Sequence, residues 1–327
     1  MPKETRYDVL IAGQGAAAYA AALYAARYQI KPVVAGEEFG GETAIGGQIE
    51  NYPGFVDIDG FDLMTRFRDQ AIKYEVPIIT ENVVDVRKDG SEFVSELGDG
   101  SRIRSIAVIL AIGRERRKLG LPNEKEWMGR GVSYCSTCDA PLYRNKKAVA
   151  VVGGGNSAVE GAILLSKYAK DVYIVHRKDE FTRPDPINVT VMNDQKNLHQ
   201  VTGTEIVELL GTDEKGLTGI RLSKSFGGKE TIDVDGIFIE IGADPRVEIP
   251  KRLGVILNSE TDEVHVDRVM KTNVPGLFAA GDLTDGSGSL KQTVTAAAQG
   301  AIAALSAYQY VSEHRSRKGT VAASSRH

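Results

Sequence analysis

The chain has two cysteines, and they stand together as Cys135-Ser136-Thr137-Cys138, with Asp139 next. Two thiols at this spacing can contribute to a zinc site, pack as small hydrophobes, or form and break a disulfide. A zinc site takes four protein ligands, or three and a water. His176, His199, His265, His314 and His327 show no ligand spacing near the pair or among themselves, so no metal is expected. The flanking Ser, Thr and Asp suit an apolar thiol pair poorly. A static disulfide belongs to oxidising compartments. The start, MPKETRYDVLIAG, has no apolar run ahead of a cleavage site, so the cytoplasm is the expected location. A redox dithiol fits best, with one thiol pKa lowered from about 8.5 by a helix N-terminus or by the Cys-x-x-Cys setting.

Two glycine turns offer a second kind of chemistry. Gly13-Gln14-Gly15-Ala16-Ala17-Ala18 and Gly153-Gly154-Gly155-Asn156-Ser157-Ala158 both match the dinucleotide fingerprint with alanine at its last position. The first glycine permits the turn, the second lets a pyrophosphate approach the backbone, and the small last residue lets helix and strand pack closely. An acidic residue is expected about 20 positions past such a turn. Glu37 and Glu38 lie near that place after the first turn, displaced past a strand end. After the second, HRKDEFTR (176–183) offers cations instead: Arg177, Lys178 and Arg183. Guanidinium and ammonium groups suit a 2′-phosphate, which favours NADPH over NADH. Two dinucleotides on one chain suggest electrons passing from one to the other.

The elements that must position these residues repeat. Residues 7–28 read as strand, tight turn and Ala-rich helix, with the next strand at 31–38; residues 148–170 repeat the unit, with a strand at 171–178. SIAVILAIG (105–113) and VDGIFIEIG (234–242) are matching buried-type strands, and VPGLFAAGD (274–282) is a third without counterpart. The expectation is an α/β protein of two Rossmann-like, three-layer dinucleotide-binding domains, the second inserted into the first. Their limits are 1–116 and 246–314 for the first domain and 117–245 for the second, with hinges near 114–120 and 243–250. The polar, basic stretch 315–327 reads as a disordered tail. A net charge of −4 and a pI near 5.9 speak against nucleic acid. No run approaches the ~20 apolar residues of a membrane span.

With these parts in place the sequence closely resembles the low-molecular-weight bacterial and archaeal thioredoxin reductases, over roughly residues 6–312. The carrying motifs include the first turn, ENYPGF (50–55), AIG (111–113), LGLPNE (119–124), GRGVSYCSTCDAPLY (129–143), GGGNSAVE (153–160), HRKDEF (176–181), VPGLFAAGD and KQTVTAAAQG (291–300). The resemblance implies FAD in the first domain, held by Gly13, Gly15, Ala16, Ala18, Glu37, Gly41, Glu42, Asn51, Val83, Ala111, Gly113, Gly281, Asp282, Lys291 and Gln292. It implies NADPH, with NADH as the alternative, on Gly153, Gly155, Asn156, Ser157, Ala158, Arg177, Lys178 and Arg183. It implies that Cys138 faces the flavin, that Cys135 attacks the disulfide of thioredoxin or a similar protein, that Asp139 manages the thiol proton, and that the chain forms a homodimer. The chain departs from the family at Ile112 (commonly Thr), Glu42 (often Gln), Lys291 (often Arg) and Thr182, where an arginine is usual. A related NAD(P)H- or ferredoxin-dependent flavoprotein with another acceptor, and a redox-sensing binding module, are the competing readings.

Overall fold

The computed structural model describes residues 4–324 apart from Gly46 and Arg183, with side chains through Arg317. The chain divides into two compact units, one of residues 1–115 and 245–327 and one of residues 116–244.

The first unit opens with β1 (Glu4–Ala12), α1 (Ala16–Arg27), β2 (Pro32–Ala35), α2 (Gly41–Ile45), the short pair β3 (Gln48–Ile49) and β4 (Ile58–Asp59), and α3 (Gly60–Ile72). Then come β5 (Ile78–Ile79), β6 (Val83–Asp89), β7 (Glu92–Leu97) and β8 (Arg102–Leu110). After the connector β9 (Arg114–Arg116), the second unit contains β10 (Val132–Ser133), α4 (Ser136–Asp139), β11 (Ala148–Val152), α5 (Asn156–Ser166), β12 (Asp171–His176), α6 (Pro186–Asp194) and β13 (Leu198–Thr202). It is completed by β14 (Ile206–Thr212), β15 (Gly216–Phe226), β16 (Lys229–Asp233) and β17 (Gly236–Ile239). The return connector β18 (Ala243–Pro245) leads to α7 (Glu248–Arg252), β19 (Leu277–Ala279) and α8 (Thr293–Ser324).

In the first unit, β5-β2-β1-β8-β19 form a parallel sheet. The second half of β8 pairs with β19, while its first half pairs antiparallel with β7, which carries β6 beyond it. The second half of β1, residues 9–12, and β2 read as continuous apolar runs and are fully buried, as parallel sheets covered on both faces require. The alanines of α1 have a packing reason. A side chain on Gly300 of α8 would come within 2.0 Å of the Ala17 carbonyl oxygen. Only small residues allow this approach, and Ala303, Ala304 and Ala307 continue the buried face of α8.

In the second unit, β10-β17-β11-β12-β13 are all parallel, and β14-β15-β16 form a separate antiparallel sheet. The repeat read from the sequence therefore exists as two Rossmann-like folds. The connectors β9 and β18 pair with each other. Arg117 holds Asp244 at 2.6 Å, and the Arg246 N–H donates to the Gly113 carbonyl at 3.2 Å.

The expected disordered tail is corrected for residues 315–324, which continue α8. Extending a helix that packing has already nucleated costs little, and Arg315 gives the extension an anchor by pairing with Asp8 at 2.7 Å. Residues 325–327 lie outside the described residues. Among the described residues no helix is long and apolar enough to cross a membrane, and no three His, Cys, Asp or Glu side chains cluster as a metal would need.

Candidate active site

Each unit builds its own glycine turn at a strand end. At the first, Gly13 has φ +114°, and a Cβ there would lie 2.2 Å from the Ala111 carbonyl oxygen. The turn is thus pressed against the end of β8, which places Ala111 beside it. Gly15 is the opposite case: a Cβ would meet nothing within 4 Å among the described residues. It caps α1 with no side-chain hydrogen bond, so a phosphate can approach the helix N-terminus and its positive dipole end. Gly41 passes over the turn, its Cβ position 3.6 Å from the Gly15 Cα.

A part of this cradle the sequence reading did not include is Gln14. Its side-chain amide donates to the Gly36 carbonyl, its Oε1 accepts from the Tyr19 hydroxyl at 2.7 Å, and its carbonyl accepts from Gly40 N–H. Burial pushes the Tyr19 phenol up to about 12, so this donor stays protonated. The side chain stitches the turn to the end of β2 and to α1, where the fingerprint asks nothing of this position.

Around the cradle the structure gathers several expected residues. Glu37 lies past the end of β2 and exchanges two hydrogen bonds with Asn82, the neighbour of Val83 (Asn82 Nδ2 to Glu37 Oε2, 2.6 Å). Asn51 donates to Gln292 at 3.1 Å, and Thr43, next to Glu42, meets Thr293 at 3.0 Å. Asp282 follows Gly281 at the end of β19. Burial is the main influence on its carboxyl and raises its pKa; Lys291 and Arg114 pull it back, and Glu263 and Glu42 push it up. Lys291 itself is held: its ammonium lies 3.0 Å from Glu263 and donates to the Thr284 carbonyl. Glu263 also pairs with Arg114 at 3.2 Å. This buried carboxylate between two cations was not legible from motif spacing.

The second turn repeats the logic. Gly153 has φ +148°, with a Cβ position 2.2 Å from the Glu240 carbonyl oxygen and 2.8 Å from the Ala158 Cβ. Among the described residues a Cβ on Gly155 would meet only the Thr182 carbonyl, at 4.0 Å, and Gly155 caps α5 with no side-chain hydrogen bond from them. The third glycine, Gly154, has a separate cause: a side chain would strike the His176 ring at 2.2 Å. His176 stacks on Phe181, and Thr182 N–H donates to the Gly154 carbonyl at 2.6 Å, so the basic loop folds back onto the turn. Burial, then Lys178 and Arg177, hold the His176 pKa below its usual value. Arg177 and Lys178 are exposed, as is Ser157, while Arg183 lies outside the described residues. Asn156 is tied to Asp185, Glu160 and Asn188 at 2.9–3.2 Å and so braces the start of α6.

The cysteine pair shares this unit, and Cys135 and Cys138 are joined in a disulfide. Cys135 caps α4, its sulfur accepting from the Cys138 N–H at 3.1 Å. Cys138 is exposed, whereas Cys135 and Asp139 are half-buried. The α4 turn packs on α5, the helix that begins at the glycine turn: a Cβ on Gly161 would lie 2.5 Å from Ser136 Oγ. Before the pair, Glu124 accepts the N–H groups of Leu119, Gly120 and Leu121 and the Tyr134 hydroxyl. That explains why LGLPNE and SYC occur together. Burial, with Glu124, raises the Tyr134 pKa, so its proton stays in place.

Both open cradles fit a dinucleotide: each has a glycine with room for a phosphate at an uncapped helix N-terminus, and each is held by a preceding glycine that no larger residue could replace. Over residues 7–300 the chain matches the model of the pyridine nucleotide-disulphide oxidoreductase family. It is 40% identical to a thioredoxin reductase of Mycolicibacterium smegmatis, over 95% of this chain and 98% of that one. The structure is similar to thioredoxin reductase of Lactococcus lactis in its FR conformation (TM-score 0.86, 33% identity, 94% and 99% covered). It is also similar to T. acidophilum thioredoxin reductase (TM-score 0.84, 35% identity, 93% and 98% covered). A likeness that spans both units and the dithiol between their motifs means that the chain belongs to the pyridine nucleotide-disulphide oxidoreductase family, among the thioredoxin reductases.

Proposed function

We propose that the chain is an NADPH-dependent thioredoxin-disulfide reductase that uses FAD and the Cys135–Cys138 pair. The observation that carries this reading is the placement of the disulfide on α4, packed against the helix that starts at the second glycine turn. Gly13, Gly15, Asn51, Asp282 and Gln292, with the others of the first cradle, would hold FAD. Gly153, Gly155 and the cations Arg177 and Lys178 would hold NADPH. Bound nicotinamide and flavin would supply the electron pair.

The chain's own sulfurs do the rest. Two electrons and two protons convert the Cys135–Cys138 disulfide to a dithiol, with Asp139 placed to move one of those protons. The Cys135 thiolate then attacks the partner's disulfide; one S–S bond forms and the partner's S–S bond breaks, leaving a mixed disulfide. Cys138 attacks the Cys135 sulfur, restores the internal bond and releases the partner as a dithiol. The acceptor is thioredoxin or a protein of its kind, the compartment is the reducing cytoplasm, and the working form is a homodimer. Gly113 (φ +64°) and Gly242 (φ +93°) flank the paired connectors and give them backbone freedom for a hinge motion.

Replacing Cys138 by Ser tests the reading. NADPH-dependent reduction of oxidised thioredoxin should be lost while NADPH-dependent reduction of a one-electron dye persists. Retained thioredoxin reduction would instead mean that the dithiol is idle and that the acceptor is of another kind.

A further inference from the structure

The strand ending Ile237-Phe238-Ile239 is fully apolar until Glu240, a charge at the mouth of a buried run. Its carboxylate is largely buried, with 13% of the side chain exposed. It accepts from the Ser136 backbone N–H at 3.3 Å and from the Ser136 hydroxyl at 2.9 Å. Ser136 directly follows Cys135. The Glu240 backbone is itself fixed: its N–H donates to the Val152 carbonyl at 2.8 Å, and its own carbonyl oxygen lies against the first glycine of the second turn, Gly153. Arg116 approaches the other carboxylate oxygen at 4.0 Å.

We propose that Glu240 is a positioning residue for the redox pair: it anchors the turn that carries Cys135 and places a negative charge beside it, which keeps the dithiol less acidic and more strongly reducing. The proposal rests on the redox reading of the pair given above. A carboxylate near a thiol disfavours the thiolate by like-charge repulsion. A reduced pair whose thiolate is less stabilised gives up its electrons more readily, which suits a donor to another protein's disulfide.

Among the described residues, the charged and titratable groups around this turn are Tyr134, which precedes Cys135 and is bonded to Glu124, Asp139 on α4, Tyr143 on the 3-10 turn 140–143 that follows it, Glu160 on α5, Arg116 on β9 and Glu240. Those other than Glu240 are unchanged in a variant at 240, so a shift in that variant reports on Glu240 itself.

The test is alkylation of the reduced, FAD-containing protein by iodoacetamide from pH 5 to 9, with each cysteine quantified by peptide mass spectrometry. Glu240→Gln keeps the shape and an acceptor for Ser136 and removes the charge. The apparent thiol pKa should fall by about one unit. Because a less basic thiolate is also a weaker nucleophile, alkylation at pH 7 should rise only about threefold. The dithiol–disulfide equilibrium in a thiol redox buffer should shift toward the dithiol. Glu240→Asp should stay close to wild type. Ser136→Ala, which leaves the charge but removes one of its hydrogen bonds, should move the pKa upward, opposite to Glu240→Gln, and it serves alone if the latter does not fold. A Glu240→Gln profile that overlays wild type, or a Ser136→Ala shift in the same direction as Glu240→Gln, overturns the proposal. A wild-type pair that does not cycle between disulfide and dithiol would overturn the redox reading instead.

Discussion

Gly15 and Gly13 sit two residues apart, yet alanine at each should fail in a different way. At Gly15 the backbone is extended (φ −80°, ψ −174°), a conformation any residue adopts, and no atom of the described residues lies within 4 Å of the added Cβ. Replacing glycine there removes freedom from the unfolded chain, a gain of about 0.4–1 kcal/mol. Alanine is a poorer helix cap than glycine, a loss of about the same size. The two offset each other, and the stripped protein should melt within a few degrees of wild type. The new methyl occupies the space through which a phosphate reaches the α1 amides. A hydrogen bond to a charged group is worth about 1.5–3 kcal/mol, so losing one weakens FAD binding about ten- to a hundredfold. Gly13→Ala meets the Ala111 carbonyl oxygen at 2.2 Å and forces alanine to φ +114°. Backbone strain of about 1–3 kcal/mol and overlap of about 1–3 kcal/mol add, against a whole stability of about 5–15 kcal/mol. The assay pairs the ratio of flavin to protein absorbance after purification with thermal melts of the flavin-stripped proteins. Gly15→Ala should lose flavin and keep its melt; Gly13→Ala should lose both. A Gly15→Ala protein that retains flavin at wild-type affinity would refute the assignment of this turn to the pyrophosphate.

Two further perturbations probe groups outside the glycine turns. Glu263→Ala removes a buried carboxylate from between Lys291 and Arg114 and leaves both cations without it; the expected loss is about 3–5 kcal/mol, a drop in melting temperature of about 6–20 °C, and a melt within 2 °C of wild type would show the cluster to be energetically empty. His176 has a folded pKa below its unfolded value, so its contribution to stability is complete above about pH 6.5 and declines as pH falls, with a slope of at most about 1.4 kcal/mol per pH unit. Denaturant titrations between pH 5 and 8 should show that decline, and His176→Gln should flatten it; an unchanged pH dependence in the variant would assign the decline to other groups.

The fold was legible wherever backbone geometry forces a residue type. Gly13 and Gly153 take positive φ against neighbouring carbonyls, and such positions mark strand ends in a sequence because only glycine serves there. The two turns, with apolar strands before them and small residues after, revealed the duplicated unit. What stayed hidden depends on residues distant in sequence. Glu263 and Arg114 meet across the inserted unit, and either alone reads as an ordinary solvated charge. Gln14 sits at the fingerprint position that carries no requirement. Glu240 and Gly154 did leave signals: a charge breaking the apolar run IFIEIG, and a third glycine where two suffice. The helical extension past residue 314 was missed because composition describes a segment's isolated tendency, while α8 enters it already formed and Arg315 finds Asp8.

The most direct test of the whole account is anaerobic stopped-flow spectroscopy of the FAD-containing protein, mixed first with NADPH and then with oxidised thioredoxin. The flavin absorbance should bleach in the first mix and return in the second, with one thioredoxin disulfide reduced for each electron pair and no return when Cys138 is Ser. A flavin that NADPH does not bleach, or one that thioredoxin disulfide fails to reoxidise in the wild-type protein, would contradict it.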